Sequence, residues 1–412
     1  MTKNYKRLGD YIQEVKVRNA DLKAEKLLGI NIDKFFMPSV ANVVGTDLSV
    51  YKIVKKNQFA CNRMHVGRDY RLPISMSKTD EEFMVSPAYD VFEIIDTDIL
   101  YPGYLMMWFS RREFDRNAWF YTDADVRGGL HWKALCDMQL PIPSITKQHE
   151  IVKEYNVIQN RIALNQQLIQ KLEETARAIY KQWFVDFEFP DENGKPYKSN
   201  GGEMMESELG LIPKGWLLTT LGYVLSNKGY IRGPFGSALK KDDMIKSGIP
   251  VYEQQHAIDD HRNFRYFINS EKHKTLKRFT VCPDDFVISC SGTLGRVIMV
   301  KANDPIGIIN QALLILRTDK NKLAPICLKY FLTSNDGNKL LIENSGGSAQ
   351  INIAKREVIQ DIPIIIPPPT EQIKVAEYLC KCDNKIELLK KESRLLDNLK
   401  NLLLSKLATI EN

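Results

Sequence analysis

The sequence of 412 residues lacks the short motifs by which many enzymes are identified. It has no G-x-x-x-x-G-K-[ST] phosphate-binding loop and no N/D-P-P-Y tetrapeptide of the amino-methyltransferases. Its six histidines form neither an H-x-x-x-H nor an H-E-x-x-H pattern. These absences count against an ATPase, a methyltransferase and a zinc peptidase. We therefore expect a chain that is not an enzyme and that binds no cofactor or metal itself.

Cysteine pairs and long apolar runs are also missing. The seven cysteines show no paired spacing, as in proteins of a reducing compartment. Cys380 and Cys382 stand two apart on a predicted helix, which points them to different sides and argues against a zinc site. No apolar run approaches ~20 residues, and the N-terminus MTKNYKRLGD has no signal-peptide hydrophobic region. The sequence thus predicts a cytoplasmic protein with no membrane partner.

Two segments approach known motifs without completing them. The run SGTLGRV at 291–297 follows an apolar strand, but it lacks the third glycine and the long helix of a nucleotide-binding loop. The run PDENGK at 190–195 resembles part of a nuclease motif, but no acid-x-Lys element follows it. We interpret both segments as turns.

A long helical pattern is present, and it occurs twice. The stretch from Thr146 to Phe184 returns from Thr370 to Leu407, 224 positions further on, and each copy follows a proline-bearing run. Apolar residues recur in both copies at alternating steps of four and three. The first seam consists of Ile151, Tyr155, Ile158, Ile162, Asn165, Ile169, Leu172, Ala176, Ile179 and Trp183. The second seam consists of Val375, Leu379, Cys382, Ile386, Leu389, Ser393, Leu396, Lys400, Leu403 and Leu407.

An apolar seam of this kind, kept over about five heptads, is typical of a coiled coil. A helix of ~37 residues is roughly 55 Å long. Neither helix can bury its seam alone, so we expect the two to pack on each other. The alternative is that each pairs with a helix of another chain. The polar seam residues Asn165, Ser393 and Lys400 are expected to fix the register of the pair.

The repeat extends into the segments before the helices. The run WKALCDMQLPIPS at 132–144 aligns at the same offset with REVIQDIPIIIPP at 356–368, so a whole module is duplicated. We predict an α+β fold in which two globular α/β domains are joined by two long helices. The helices form an antiparallel coiled coil, and the chain has an internal pseudo-twofold repeat. The predicted segments are a first globular domain at 1–145, a first helix at 146–185, a connector at 186–213, a second globular domain at 214–366 and a second helix at 367–412.

Arginine and aromatic residues cluster in two runs of the first domain, NQFACNRMHVGRDYRLPISMS and MMWFSRREFDRNAWF. Arginine can bond guanine in a bidentate manner, and aromatic rings can pack on sugars and bases. The candidate nucleic-acid contacts are Arg63, His65, Arg68, Arg71, Arg111, Arg112 and Arg116. A solvated strand edge with a few core aromatics accounts for the same composition equally well.

The second domain holds most of the excess positive charge, with 21 Lys and Arg against 14 Asp and Glu in 214–366. Glutamine is suited to adenine, which makes Gln254, Gln255 and His256 candidates for base contacts. Lys272, Lys274, Lys277 and Arg278 form a patch better suited to phosphate. The remaining candidates are Arg232, Lys240, Lys241 and Arg296. Ordinary surface polarity accounts for any single one of them, and only their clustering favours DNA.

The chain resembles the specificity subunit of type I restriction-modification systems. The resemblance covers essentially the whole chain. It is carried by the tandem layout, by the connector FVDFEFPDENGKPYKSNGGEMMESELGLIPKGW and by the helix starts PPPTEQ and PIPSITKQ. The segments NRMHVGRDYRLPIS and GSAQINIAKREV add to it.

The resemblance implies two target recognition domains, 1–145 and 214–366, each reading half of a bipartite double-stranded DNA site in the major groove. It also implies that the paired helices set the spacing and dock two methyltransferase subunits. S-adenosylmethionine would then belong to those partners, and ATP and Mg to restriction subunits that join the complex. Two other classes remain open, a stand-alone two-headed DNA-binding regulator and a coiled-coil adaptor that binds no DNA.

Overall fold

The structure is a computed structural model of the chain and describes residues 5–41, 44–64, 66–122, 128–343 and 355–410. The chain divides into two compact units. Unit 1 comprises Met1–Gln167 and Leu389–Asn412, and unit 2 comprises Leu168–Leu388. Each unit therefore contains one of the predicted globular domains together with one end of both long helices.

Unit 1 is built from short strands, short helices and the first part of a long helix. Its strands are β1 (Tyr5–Arg7), β2 (Ile12–Val15), β3 (Leu28–Ile30), β4 (Phe36–Pro38), β5 (Lys52–Val54), β6 (Phe59–Cys61), β7 (Ile74–Met76), β8 (Phe83–Val85), β9 (Asp90–Ile94) and β10 (Gln139–Pro141). Its helices are α1 (Val66–Asp69), α2 (Pro102–Phe109), α3 (Arg112–Phe120), α4 (Trp132–Asp137) and the start of α5 (Ile145–Phe184).

Unit 2 repeats this plan with a longer set of elements. Its strands are β11 (Met204–Ser207), β12 (Gly210–Pro213), β13 (Leu217–Thr220), β14 (Leu225–Arg232), β15 (Ile249–Tyr252), β16 (Phe267–Ile268), β17 (Phe286–Ser289), β18 (Val297–Met299), β19 (Ile308–Ile309), β20 (Leu313–Thr318) and β21 (Pro363–Ile366). Its helices are α6 (Leu221–Val224), α7 (Gln254–Asp259), α8 (Ser270–Thr275), α9 (Pro325–Thr333), α10 (Asn335–Glu343), α11 (Arg356–Gln360) and the start of α12 (Pro369–Lys406).

The two units share one sheet topology and one register. The four-stranded antiparallel sheet has the order β2-β9-β6-β7 in unit 1 and β14-β20-β17-β18 in unit 2. Val91 pairs with Ala60, and Ile315, which lies 224 positions after Val91, pairs with Val287. In both units the strand that directly precedes a long helix also pairs antiparallel with a strand before the four-stranded sheet, β10 with β1 and β21 with β13. The sequence repeat is therefore a structural repeat.

A leucine-glycine step directly after β1 and after β13 is also duplicated. A Cβ on Gly9 would stand 2.7 Å from the Cβ of Cys136, and a Cβ on Gly222 would stand 3.0 Å from the Cβ of Gln360. Cys136 and Gln360 are again 224 positions apart. The absence of a Cβ therefore permits the close approach to α4 at Gly9 and favours the close approach to α11 at Gly222.

A buried glutamine joins the globular part of unit 1 to its helix. Gln148 in the first turns of α5 is fully buried. Its Oε1 accepts a hydrogen bond from the backbone N–H of Tyr101 at 2.8 Å. Its Nε2 donates to the carbonyl oxygens of Ile99 and Pro143 at 2.8 and 2.9 Å. One side chain thus satisfies backbone groups in the segment before α2 and in the segment before α5.

The same network occurs in unit 2. Gln372, which is 224 positions after Gln148, accepts from the N–H of Ala324 at 3.0 Å. It donates to the carbonyl oxygens of Lys322 and Pro367 at 3.0 and 2.9 Å. Buried backbone groups must be paired to avoid a desolvation cost, so this glutamine fixes where the helix leaves the domain in both units.

The two long helices pack on each other antiparallel. In unit 1, Ile151 of α5 shares a core with Leu404 of α12. Further along α5, Arg161 forms a bidentate ion pair with Glu392, at 2.9 and 3.1 Å. Positions that rise along α5 therefore face positions that fall along α12. This confirms the predicted intramolecular pairing, and every predicted seam position is buried or half-buried.

The helices α5 and α12 begin one residue before Thr146 and Thr370, the first residues of the repeated stretch. Thr146 and Thr370 therefore lie inside the first turns of these helices. The Oγ of Ser144 accepts from the N–H of Lys147 at 3.4 Å. Pro369 occupies the first helical position of α12, where the missing N–H of proline removes no hydrogen bond of the helix.

Replacing Gln148 by Leu should destabilise unit 1. The change keeps an approximately similar volume but leaves the N–H of Tyr101 and the carbonyls of Ile99 and Pro143 without a partner. We expect a loss of about 2–5 kcal/mol in the free energy of unfolding, measured by urea denaturation of the purified chain. Gln166→Leu, on the exposed side of the same helix, is the control and should stay within about 0.5 kcal/mol. Equal stability of both variants would contradict the structural role of this glutamine.

Candidate nucleic-acid interface

Two arginines predicted to contact DNA are internal in unit 1. Arg111 is 5% exposed. It donates from Nε to the carbonyl of Leu404 at 3.0 Å, and its guanidinium lies 4.2 Å from the ring centre of Trp108. Arg63 is half-buried and ion-paired with Asp90. The prediction for Arg111 is corrected, because a buried side chain that holds α12 cannot also reach a duplex. Arg63 is paired within the unit as well, and its contact with DNA stays a prediction.

The other arginines of unit 1 are exposed. Arg68 has 68% of its side chain exposed and forms a bidentate pair with Asp69, at 2.7 and 3.0 Å. Arg71 is 50% exposed and pairs with Asp33 at 2.7 Å. Such exposed pairs contribute little to stability and can exchange for phosphate or base contacts. Two further exposed arginines are Arg112 and Arg116. His65 lies outside the described residues.

Aromatic rings accompany these arginines on the surface of unit 1. Tyr70 is 62% exposed and has a left-handed backbone, with φ at +56°. Its ring lies edge-on to that of Trp119, 5.2 Å between centres, and Phe120 and Tyr121 are exposed beside Trp119 in sequence. Exposed large aromatics indicate a binding surface more often than exposed aliphatics do. Tyr70 was missed from the sequence, although its position between two arginines could have pointed to it.

The glutamine-histidine cluster of unit 2 is largely internal. His256 is fully buried, its Nδ1 accepts from the N–H of Glu253 at 2.7 Å, and burial lowers its pKa. The side-chain amide of Gln254 donates to the carbonyl of Ser291, and Gln255 is half-buried beside Glu253. The prediction for His256 is therefore corrected. Its ring and the Gln254 amide position backbone segments and do not project toward a ligand.

The basic patch of unit 2 is on the surface. Lys272 is half-buried and paired with Asp243 at 2.9 Å. The exposed members of the patch are Lys274, Lys277 and Arg278, and the separate candidates Lys240 and Lys241 are exposed as well. Lysines and arginines in this setting are suited to phosphates.

Arg232 and Arg296 come from the same end of the unit 2 sheet. Arg232 ends β14 and is half-buried, with an Nη1 that has no hydrogen-bond partner within the described ranges. Its guanidinium lies 6.0 Å from the ring centre of Phe235, which is 65% exposed. Arg296 is exposed at the end of the turn between β17 and β18. That turn contains the run SGTLGR, which confirms its interpretation as a turn.

Two polar residues of the helix seam, Asn165 and Ser393, are paired with each other across the helices in unit 1. Asn165 is fully buried. Its Nδ2 donates to Oγ of Ser393 at 3.3 Å and to Oε2 of Glu392 at 3.2 Å, whereas its Oδ1 has no partner in the described parts of the chain. Lys400, the other polar seam residue, pairs with Asp397 of its own helix at 2.6 Å. The contact between Asn165 and Ser393 supports the expected register role.

Neither a metal cluster nor a membrane span is found in the part of the chain that the structure describes. No group of three or more His, Cys, Asp or Glu side chains could hold a metal ion there. No helix among those residues is long and apolar enough to cross a membrane.

Known proteins are similar to this chain in sequence, and a solved structure is similar to it in fold. Residues 236–398 match the family model for the type I restriction modification DNA specificity domain. A Methanocaldococcus jannaschii protein, provisionally named as the specificity subunit of the type I restriction enzyme MjaX, is 24% identical over 311 residues. The match covers 74% of this chain and 67% of that protein. The specificity subunit of the Haemophilus influenzae type I restriction enzyme HindI is 25% identical over 181 residues, which are 43% of this chain and 38% of that protein.

A solved structure resembles the chain along its whole length. The crystal structure of a type I restriction-modification S subunit from M. genitalium gives a TM-score of 0.60 at 14% sequence identity, covering 100% of this chain and 98% of that one. The fold thus defines the class, a duplicated α+β unit on a shared pair of antiparallel helices. Residues 236–398 thus match the specificity-domain family, and the chain is similar in sequence and in fold to specificity subunits of type I restriction-modification systems. The resemblance noted from the sequence is confirmed.

The neighbouring residues Arg111 and Arg112 separate a structural from a surface role. Arg111→Ala removes the bond to Leu404 and the stacking on Trp108, and we expect it to lower the free energy of unfolding by about 2–4 kcal/mol. Arg112→Ala removes an exposed charge and should change stability by less than about 0.5 kcal/mol. Thermal denaturation of both variants measures the difference. If Arg111→Ala weakened DNA binding at unchanged stability, the internal assignment would be wrong.

Proposed function

We propose that this chain reads a bipartite DNA site for a type I restriction-modification complex, with each unit binding one half. The observation that carries the proposal is the duplication of one scaffold with different exposed side chains on its two copies. Two copies of one binding scaffold in one chain suit two sites on one ligand. Unit 1 exposes arginines among aromatic rings, whereas unit 2 exposes a lysine-rich patch. Both compositions favour a polyanion such as double-stranded DNA.

DNA binding is tested on the chain purified together with its methyltransferase subunit. We expect the complex to bind duplex DNA with an affinity that falls steeply as salt rises, because phosphate contacts release counterions. It should also prefer one sequence over non-specific DNA by at least about 10³-fold. Tight specific binding by the isolated chain would favour the stand-alone regulator. An affinity that is absent or independent of salt would favour the adaptor.

A second apolar stripe on the long helices supports the docking of methyltransferase subunits. In unit 1, α12 exposes Leu395, Leu399 and Leu402, each directly before a seam position and each at least 50% exposed. On α5, Val157 and Leu164 are exposed at the corresponding places. A helical apolar stripe beside the buried seam is suited to receive helices of a partner. S-adenosylmethionine would then be bound by those methyltransferase partners, and ATP and Mg by restriction subunits, with none bound by this chain.

Adding charge to this stripe should release the methyltransferase subunit. Leu395→Glu together with Leu399→Glu places two carboxylates on the proposed contact and should reduce co-purification at least tenfold. Because both leucines are exposed, the thermal stability of the chain should hardly change. Ser405→Glu, an exposed position of α12 outside the stripe, is the control. Unaltered co-purification of the double variant would place the partner elsewhere.

The paired helices are proposed to set the spacing between the two half-sites. α5 has 40 residues, which corresponds to roughly 60 Å of helix. Deleting one heptad from both helices should shorten the preferred gap and leave both half-sites unchanged. Methylation mapping of host DNA measures the gap. A variant that assembles and methylates with the original gap would refute the proposal that the helices set the spacing.

A further inference from the structure

A step of three residues occurs in equivalent connections of the duplicated sheet. It consists of an apolar residue, a glycine and an arginine, and we call it the Gly-Arg step. In unit 1 it is Val66-Gly67-Arg68, between β6 and β7, and in unit 2 it is Leu294-Gly295-Arg296, between β17 and β18. These are the same two neighbouring strands in the two sheet orders. The two connections differ in length but share this step.

The glycine of unit 1 lies directly against another backbone segment. The N–H of Gly67 donates to the carbonyl oxygen of Gly128 at 2.7 Å. A Cβ on Gly67 would stand 2.7 Å from the Cα of Gly128, which leaves no room for a larger residue. Val66 is fully buried, whereas the side chain of Arg68 is 68% exposed. The step therefore holds the backbone in place and directs the guanidinium to the solvent.

The glycine of unit 2 is held by different partners with the same result. The N–H of Gly295 donates to the carbonyl of Ser289 at 3.0 Å, and its own carbonyl accepts from Nδ2 of Asn338 at 2.6 Å. Its φ is +70°, and a Cβ would stand 3.1 Å from Cγ1 of Ile342. The N–H of Arg296 donates to Oγ of Ser289 at 2.9 Å, and its side chain is exposed.

A further cation lies at the same end of the sheet in each unit. Arg232 ends β14 and is opposite Leu314. In unit 1, Lys16 directly follows β2 and comes level with Asp90, the counterpart of Leu314 224 positions earlier. Lys16 has 76% of its side chain exposed, in a surface pair with Glu14. The sheet end that carries the Gly-Arg step is thus basic in both units, which favours an anion there.

We propose that Arg68 and Arg296 are phosphate-anchoring residues, which bind the sugar-phosphate backbone of the duplex in an equivalent way in the two units. The inference rests on the proposed DNA-binding function and adds which residues position each unit on its half-site. Two half-sites of different sequence have only the backbone in common, so a residue kept in both units is suited to that common part. Phosphate contacts fix the register and orientation of a protein on DNA without reading its sequence. The guanidinium fork fits phosphate oxygens.

The two arginines differ in their acidic neighbours. Arg68 forms a bidentate pair with Asp69, whereas Arg296 has no ion pair within the described ranges. An exposed pair contributes little to stability and can open to a phosphate. The carboxylate nevertheless offsets part of the positive charge. We therefore expect the removal of Arg296 to weaken binding more than the removal of Arg68.

Charge-removing and charge-keeping variants test the assignment. Arg68→Gln and Arg296→Gln remove the cation, and Arg68→Lys and Arg296→Lys keep it. The matched controls are Lys56→Gln in unit 1 and Lys320→Gln in unit 2, which remove exposed lysines paired with Asp80 and Asp284. Both controls lie at the other end of the sheet, because Lys56 precedes β6 and Lys320 follows β20.

The experiment uses the chain in complex with its methyltransferase subunit. Methylation mapping first identifies the half-sites. Binding is then measured over a salt series on the cognate duplex, on duplexes with one changed base pair and on non-specific DNA. We expect Arg296→Gln to lower affinity by a similar factor, about 3- to 30-fold, on every duplex. The slope of log affinity against log salt should become less negative by about 0.9. Arg68→Gln should show a smaller loss of the same kind, and the lysine variants and controls should bind like wild type.

Neutral methylphosphonates, placed at one phosphate at a time, locate the contact. Substitution at the contacted phosphate should weaken binding by the wild-type complex but not weaken binding by Arg296→Gln any further. If every substitution affected the variant as strongly as the wild type, Arg296 would not contact a phosphate, and the proposal would be overturned.

Two further results would contradict the proposal. A loss of affinity confined to one base pair would make the arginine a base contact. A loss no larger than that of the control variants would place the phosphate contacts elsewhere. Failure of the underlying function is distinguishable, because the wild-type complex would then show no salt-dependent binding to any duplex. Circular dichroism and co-purification confirm that each variant is folded and assembled.

Discussion

The structure depends on a seam that neither long helix can bury alone. Each helix carries an apolar seam, and each contributes residues to the core of both units, with Ala176 and Val375 in the core of unit 2 and Ile151 and Leu404 in that of unit 1. Because α5 starts in unit 1 and α12 starts in unit 2, antiparallel pairing buries both seams within one chain. Each globular domain is therefore attached to a pair of helices that also contributes residues to the core of the other unit.

The attachment of domain to helix is as strictly duplicated as the sheet. Gln148 and Gln372 make the same three hydrogen bonds to equivalent backbone groups. A buried glutamine with every partner supplied is rigid, and its loss leaves backbone groups unsatisfied. A recognition surface needs such rigidity, because a reading side chain displaced by an ångström no longer meets its base edge. What varies between the units lies on the sheet ends and loops.

The long-range organisation could be predicted from the sequence because periodicity and repetition are properties of the sequence itself. The seams, their antiparallel pairing and the α+β class were all predicted, and so was a turn at SGTLGR. The glutamines were not, since a glutamine near a helix start resembles any polar surface residue until its backbone partners are placed. The failures at Arg111 and His256 have the same cause. Residue type indicates what a side chain can bond but not whether it faces water.

The candidate DNA-binding residues show that residue type alone does not separate exposed from buried side chains. Arg68, Arg71 and Arg296 are exposed and remain candidates. Arg111 is buried and bonds to α12, although its neighbour Arg112 is exposed. The grouping of these arginines in the sequence could not show which of them are buried, because successive helix and loop positions point in different directions. Tyr70 was overlooked for the related reason that an isolated tyrosine is usually a core residue.

The central proposal is that one chain carries two DNA-reading units joined by one pair of long helices. Methylation mapping of DNA from a host that expresses this chain with its methyltransferase subunit tests the claim most directly. The account predicts a single bipartite motif whose two halves differ in sequence and are separated by a constant number of unread base pairs. A contiguous motif, or two halves at freely varying distances, would contradict it.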